Sequence, residues 1–282
     1  MNSLSPAVRN LVELALLEDI GTGDVTSRCF VPADATTTAD VKARESMVVA
    51  GAELAQTIFQ MIDPSLEVVS WITDGGNAEC GDRLMRVTGS TRSILTAERT
   101  VLNFLQRLSG VATLTRRYVQ AIEGTEAQLL DTRKTTPGYR QLEKAAVAAG
   151  GGRNHRQGLF DMILVKDNHL TAFDTETQAA AALREAKAEH PGIKIEFEAD
   201  TLEQVAKFAE WPELDFILLD NMPPPMIVQA LQHRRPGLAF EASGGINLRT
   251  IRGVAETGID YISVGAVTHS ATAVDIGLDI PS

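Results

Sequence analysis

The sequence predicts an α/β protein: an incomplete parallel (β/α) barrel preceded by a smaller N-terminal α/β domain of sandwich-like character. Three observations predict it. From about residue 128, six short apolar runs alternate with helical patterns. The runs are apolar enough to be buried on both faces, as parallel strands covered by helices are. No glycine-rich nucleotide fingerprint accompanies them, which favours a barrel over a doubly wound open sheet, the alternative reading.

The runs are QLLD (128–131), DMILVKD (161–167), IKIEFEA (193–199), DFILLD (215–220), LAFEAS (238–243) and YISVGA (261–266). Between them, stretches such as TLEQVAKFAE and NLRTIRGVAETG repeat apolar residues at intervals of three and four, the helical spacing. Asp200 and Asn247 read as caps of the helices that follow them. Before this region, PAVRNLVELALLEDIG reads as an amphipathic helix stopped by Gly21, and TADVKARESMVVAG and LEVVSWITDGG alternate as strands do. SILTAERTVLNFLQRLSGVATLTRRYVQAI is one long helical pattern carrying Arg99. The change of character at Gly110 places a domain boundary there: residues 1–110 form the N-terminal domain, 111–269 the barrel, and the tail 270–282 packs back on the N-terminal domain.

Composition narrows the function classes. Hydrophobic residues at 44% and charged residues at 22% are those of a globular chain able to bury a core. No apolar run approaches the roughly 20 residues that cross a bilayer, and the N-terminus lacks a signal-peptide pattern. Two cysteines are too few for a disulfide framework, so the expected compartment is the cytoplasm. A net charge of −11 argues against nucleic acid as a partner. Between Asp131 and His169, however, seven Lys/Arg stand against four acids, a cationic island that suits a small polyanion. Solvated helix faces are the plainer explanation of the same charges.

Position favours the island. Asp131, Lys166, Glu198, Asp220, Ser243 and Gly265 all fall at or just beyond strand ends, the last four 22, 23 and 22 residues apart. In a barrel those ends converge on one mouth, where barrel enzymes carry their chemistry. Arg133 and Lys134 follow a strand directly: a planar fork and a compact movable charge, suited to two different anionic groups. Pro137 is placed for the first turn of the next helix. Gly150, Gly151 and Gly152 allow a tight path that presents Arg153, His155 and Arg156. A lone histidine is by default a satisfied structural residue; between two arginines, His155 reads as an anion contact. Lys166 ends an apolar strand and needs Asp167 or Glu198 to neutralise it. Glu198 and Asp220 suit ribose hydroxyls or Mg²⁺, which takes oxygen ligands. ASGGI and SVGA resemble backbone phosphate cups.

LLEDIGTGDVT, ERTVLNFLQRLSG, DTRKTTPGYRQLEKAAVAAGG, NHR, LVKDNH, EFEAD, ILLDNM, EASGGI and ISVGA together resemble the quinolinate phosphoribosyltransferase family over essentially the whole chain. The resemblance implies transfer of phosphoribosyl from phosphoribosyl pyrophosphate to quinolinate with decarboxylation, giving nicotinate mononucleotide for de novo NAD biosynthesis. It implies a homodimer whose active site is completed by a neighbour's N-terminal domain. Arg133, His155, Arg156 and the partner subunit's Arg99 would hold the two carboxylates of quinolinate, with Thr132 also among the substrate-binding residues. Lys134 and Lys166 would sit at the reacting junction. Glu198 and Asp220 would bind ribose hydroxyls and Mg²⁺. Ser243, Gly244 and Gly245, with Val264, Gly265 and Ala266, would take the 5′-phosphate.

Two rivals remain at this level. A relative acting on another aromatic acid is disfavoured by the presence of Arg99, Arg133, His155 and Arg156 together. A nonenzymatic phosphate-binding barrel is disfavoured by Lys134, Lys166, Glu198 and Asp220 converging on one mouth.

Overall fold

The computed structural model describes residues 4–173 and 175–280. It divides into two compact units. The first is drawn from the chain up to Arg116, from Thr135–Gly151 and from Val267 onward; the second comprises Arg117–Lys134 and Gly152–Ala266. Among the described residues, no helix is long and apolar enough to cross a membrane.

In the first unit, β1 (Thr36–Ala43), β2 (Met47–Val48), β3 (Glu67–Ser70), β4 (Asn77–Ala78) and β5 (Arg83–Ser90) are joined from the chain's end by β12 (Ile276–Asp279). They form an antiparallel sheet of order β12-β1-β5-β3, with β2 and β4 paired separately. The tail is thus tied down by its ladder to β1, from Asp40↔Asp279 to Ala43↔Ile276. The first helix runs Pro6–Ile20: Ser5 accepts a hydrogen bond from the Val8 N–H, and Gly21, at φ 53, ends it. The long pattern is one helix, Thr91–Ala121. Gly110 lies inside it because the chain passes too close for a side chain: a Cβ there would stand 2.1 Å from the Thr272 carbonyl oxygen.

In the second unit, β6 (Gln128–Leu130), β7 (Ile163–Val165), β8 (Ile195–Ala199), β9 (Phe216–Asp220), β10 (Ala239–Ser243) and β11 (Tyr261–Ser263) form one sheet of order β6-β11-β10-β9-β8-β7. Every pairing within it is parallel. That order removes the doubly wound alternative, which would reverse direction at a switch point. Here each strand from β7 to β11 lies beside its successor, β11 returns to β6, and no ladder joins β6 to β7: a barrel order left open at one seam.

Strand alternation sorts the side chains into two sets. Phe197 of β8 packs outward against Phe208 and Trp211, with ring centroids 5.4 and 5.2 Å away. Burying a side chain of that size contributes about 1.5–3 kcal/mol. Its neighbours Glu196 and Glu198 therefore face the opposite way.

Neither expected cap, Asp200 nor Asn247, caps its helix: the caps are Thr201 and Thr250. Thr201, not Asp200, caps the helix Leu202–Ala209, in a reciprocal pair with Gln204. A hydroxyl on the first residue before the helix reaches the Gln204 N–H, while the Gln204 side chain reaches back to the Thr201 N–H. Asn247 instead closes a turn, its side chain accepting from the Arg249 N–H at 3.0 Å. Pro137 lies in the turn before its helix, which begins at Arg140.

Candidate active site

The C-terminal ends of β6–β11 surround a cavity of about 620 Å³ built entirely from the second unit. It is lined by Thr132, Arg133, Lys134, His155, Arg156, Lys166, Glu198, Asp220, Ser243, Gly244 and Gly245 among the residues expected from sequence. Arg99, exposed on Thr91–Ala121 in the first unit, is not part of this lining, nor are Val264, Gly265 and Ala266. The Val264 N–H is engaged with the Leu130 carbonyl at 3.0 Å.

The cavity lining carries four cations, Arg133, Lys134, Arg156 and Lys166. Its arginine loop is pinned to β6: the Arg153 N–H donates to the Leu129 carbonyl (2.8 Å), the Asp131 N–H to the Arg153 carbonyl (3.1 Å), and the His155 N–H to the buried Asp131 carboxylate (2.8 Å). Arg156 is half-buried, and its guanidinium donates to the Met162 carbonyl at 3.3 Å. Burial, reinforced by the charge of Arg133, lowers its affinity for its proton below the usual arginine value. Two guanidiniums that repel one another while lining one cavity suit an anion, because a bound dianion relieves the repulsion.

Two of the cavity's acids, Glu198 and Asp220, come from β8 and β9. Lys166 follows β7, and its ammonium pairs with the buried Glu198 carboxylate, which settles which acid neutralises it. Asp220 ends β9 beside Glu198's strand and accepts from the Asn221 side-chain amide at 2.6 Å. Asn221 takes φ 55, the left-handed conformation. Its N–H donates to the Ser243 carbonyl at 2.9 Å, tying the end of β9 to the glycine turn after β10. Gly244, at φ +94, could be nothing else: a Cβ would lie 2.2 Å from the Asn221 side-chain oxygen.

Sequence reading missed Glu196 and Glu241. Glu241 lines the cavity floor, and both carboxyls meet the His155 ring, with Nε2 3.0 Å from Glu196 and 3.5 Å from Glu241. Both side chains are fully buried. Desolvation pushes both carboxyls up to about 8; for Glu241 the charge of Glu196 adds to it, whereas Arg156 and Lys166 oppose it at Glu196. The signal was present in IEFEA and AFEAS: residues two apart share a strand face, so Glu196 follows Glu198 inward and Glu241 follows Ser243.

Fold and site define an anion-handling (β/α) barrel protein whose chemistry sits at the C-terminal strand ends. Comparison then names the family. Residues 24–109 match the model for the N-terminal domain of quinolinate phosphoribosyl transferase and residues 111–279 that for its C-terminal domain, so the chain belongs to the quinolinate phosphoribosyl transferase family. It is 43% identical over 281 residues to the nicotinate-nucleotide pyrophosphorylase [carboxylating] of Mycobacterium leprae, covering 97% of each chain. It is 40% identical over 289 residues to a mitochondrial quinolinate phosphoribosyltransferase [decarboxylating] of Nicotiana glauca, covering 97% of this chain and 82% of that one. The solved nicotinate-nucleotide pyrophosphorylase of Francisella tularensis superimposes with a TM-score of 0.92 at 38% identity, covering 99% of this chain and 98% of that one.

Proposed function

We propose that this chain is a pentosyltransferase that joins quinolinate to phosphoribosyl pyrophosphate, releasing pyrophosphate and CO₂ and leaving nicotinate mononucleotide for NAD biosynthesis. One observation carries the reading: a single cavity is lined by Arg133, Lys134, Arg156 and Lys166 together with Glu198 and Asp220, and Lys166 pairs with Glu198. A dicarboxylate and a pyrophosphorylated sugar phosphate repel one another, and several fixed cations are needed to bring them together. The M. leprae and N. glauca relatives carry names for this activity.

The roles follow from charge and position. Arg133 and Arg156 clamp the aromatic diacid, and His155 and Thr132 line the same cavity. Lys134 and Lys166 stabilise the charge that develops on departing pyrophosphate, while Glu198 and Asp220 favour positive charge on the ribose ring. The glycine turn at Ser243–Gly245 receives the 5′-phosphate through backbone N–H groups. Quinolinate's ring nitrogen bonds to C1′ as pyrophosphate leaves; the pyridinium stabilises the electron pair left on the ring carbon when the adjacent carboxylate departs as CO₂, and that carbon then takes up a proton from solvent.

Mg²⁺ suits this donor set. Glu198 and Asp220 are carboxylates on adjacent strands, the oxygen ligands a hard cation takes. Bound there, Mg²⁺ would offset the pyrophosphate charge, as Lys134 and Lys166 would.

The enzyme works as a homodimer in which a partner subunit's Arg99 completes the site. Arg99 supports this by being exposed and absent from the cavity lining, and so do the exposed apolar side chains of Phe30 in the first unit and of Leu159 and Phe160 in the second. A cytoplasmic location is supported by two exposed thiols, Cys29 and Cys80, and by the bacterial relative, although the tobacco relative is mitochondrial.

Incubation with quinolinate, phosphoribosyl pyrophosphate and Mg²⁺ should yield nicotinate mononucleotide; product from nicotinate but not from quinolinate would sink the assignment.

A further inference from the structure

Glu196 and Glu241 are costly residues for a barrel interior. Each is fully buried. Each keeps one carboxyl oxygen, Oε1, without a hydrogen-bond partner among the described residues. Burying such a group without a partner costs on the order of 1–3 kcal/mol even when it is uncharged. Folding does not require acids here: Leu164 and Leu218 occupy inward positions of β7 and β9 at the same cavity. What the two acids share is the His155 ring.

The ring itself is fixed by its neighbours. The Arg156 N–H donates to His155 Nδ1 at 2.6 Å, and a backbone N–H can only donate. Nδ1 therefore carries the lone pair and Nε2 the proton. That proton faces Glu196 Oε2 at 3.0 Å, with Glu241 Oε2 3.5 Å away. The ring is held at both nitrogens, between two acids on one edge and the backbone of the clamp arginine on the other. A histidine held this way spends its ring nitrogens on support.

We propose that Glu196 and Glu241 are positioning residues for the aromatic diacid: through His155 Nε2 they fix the ring tautomer and plane that hold the Arg156 backbone, and so set the Arg156 guanidinium beside Arg133. The proposal deepens the reading of the clamp and rests on it. Arg156 and Arg133 repel, so neither finds its place by attraction to the other; an external framework has to supply their spacing before substrate arrives. The buried acids are that framework, and their cost in stability is the expected companion of preorganisation.

The test compares Glu196→Leu with Glu196→Gln in the full-length enzyme, measuring KM for each substrate and the urea midpoint. Leucine removes the acceptor for Nε2–H; glutamine keeps one. Glu196→Leu should raise KM for quinolinate about tenfold or more, the loss typical of an orienting partner, while KM for phosphoribosyl pyrophosphate moves less than about twofold. Its urea midpoint should stay close to that of the wild type, since removing a half-satisfied buried acid offsets the loss of the Nε2–H acceptor. Glu196→Gln should return the quinolinate KM to within about threefold of the wild type. Equal rises in both KM values, a lowered midpoint that accounts for the loss, or a glutamine variant as impaired as the leucine one would overturn the proposal. Long-range ¹H–¹⁵N spectra of the histidine rings supply a readout independent of turnover: the wild type should show His155 as the Nε2–H tautomer, and an Nδ1–H ring would also overturn it. A wild type that does not turn over quinolinate would defeat the underlying reading instead, so the two failures are distinct.

Discussion

Replacing Glu241 by Gln removes one titratable group from the buried pair under the mouth while keeping its size, and the consequence is a change in how stability depends on pH. Burial and the charge of Glu196 raise the Glu241 carboxyl from 4.5 to about 8, and burial does the same to Glu196. The groups facing the pair are Arg156, Lys166 and His155, which favour ionisation, and Glu198, which opposes it. An acid raised in the folded state contributes stability that is fully present below its unfolded value and is lost as pH rises through the folded value. The window therefore runs from about pH 4.5 to about 8, within which the folded chain holds protons that the unfolded chain has released. Each such proton steepens the decline by about 1.4 kcal/mol per pH unit. Because the two acids titrate as a unit, the difference between wild type and variant is the useful quantity. Urea unfolding at several pH values should show wild-type stability falling relative to Glu241→Gln by about 1–3 kcal/mol between roughly pH 5.5 and 7.5. Parallel profiles for the two proteins would refute the protonated pair.

Other consequences are separate. Glu143, fully buried in the first unit, accepts from Arg107 (2.6 Å) and from the Thr136 N–H and hydroxyl (3.0 and 2.8 Å); Glu143→Ala should cost about 3–5 kcal/mol in denaturant unfolding, because Arg107 loses its carboxylate and keeps only the Thr268 and Ala271 carbonyls. Gly244→Ala forces a Cβ against Asn221 at φ +94 and should cost about 1–3 kcal/mol while raising KM for phosphoribosyl pyrophosphate; an unchanged KM would separate the turn from phosphate binding. Mixing inactive Arg99→Ala and Lys134→Ala chains should restore part of the activity through mixed dimers, and absence of rescue despite demonstrated subunit exchange would count against a shared site.

The barrel was legible because its strands are apolar on both faces and end in polar residues at a regular interval: Glu198, Asp220 and Ser243 could be placed at the mouth from spacing alone. Helix starts were less legible. Asp200 and Thr201 are adjacent residues that can both cap, and only the reach of Gln204 selects Thr201. The floor of the site was missed for a different reason. Glu196 and Glu241 sit inside apolar runs, where an acid reads as an interruption, and their significance comes from a histidine 41 residues away from Glu196 in the chain. The alternation that points Glu196 inward was readable; the meeting of β8, β10 and the 153–156 loop was not, because it depends on how strands tilt around the barrel.

The central claim is tested most directly by following the carboxylate carbon. With quinolinate labelled at the carboxylate next to the ring nitrogen, labelled CO₂, pyrophosphate and nicotinate mononucleotide should appear in equal amounts, and only when phosphoribosyl pyrophosphate is present. Pyrophosphate released without labelled CO₂, or a nucleotide that retains the label, would contradict the account.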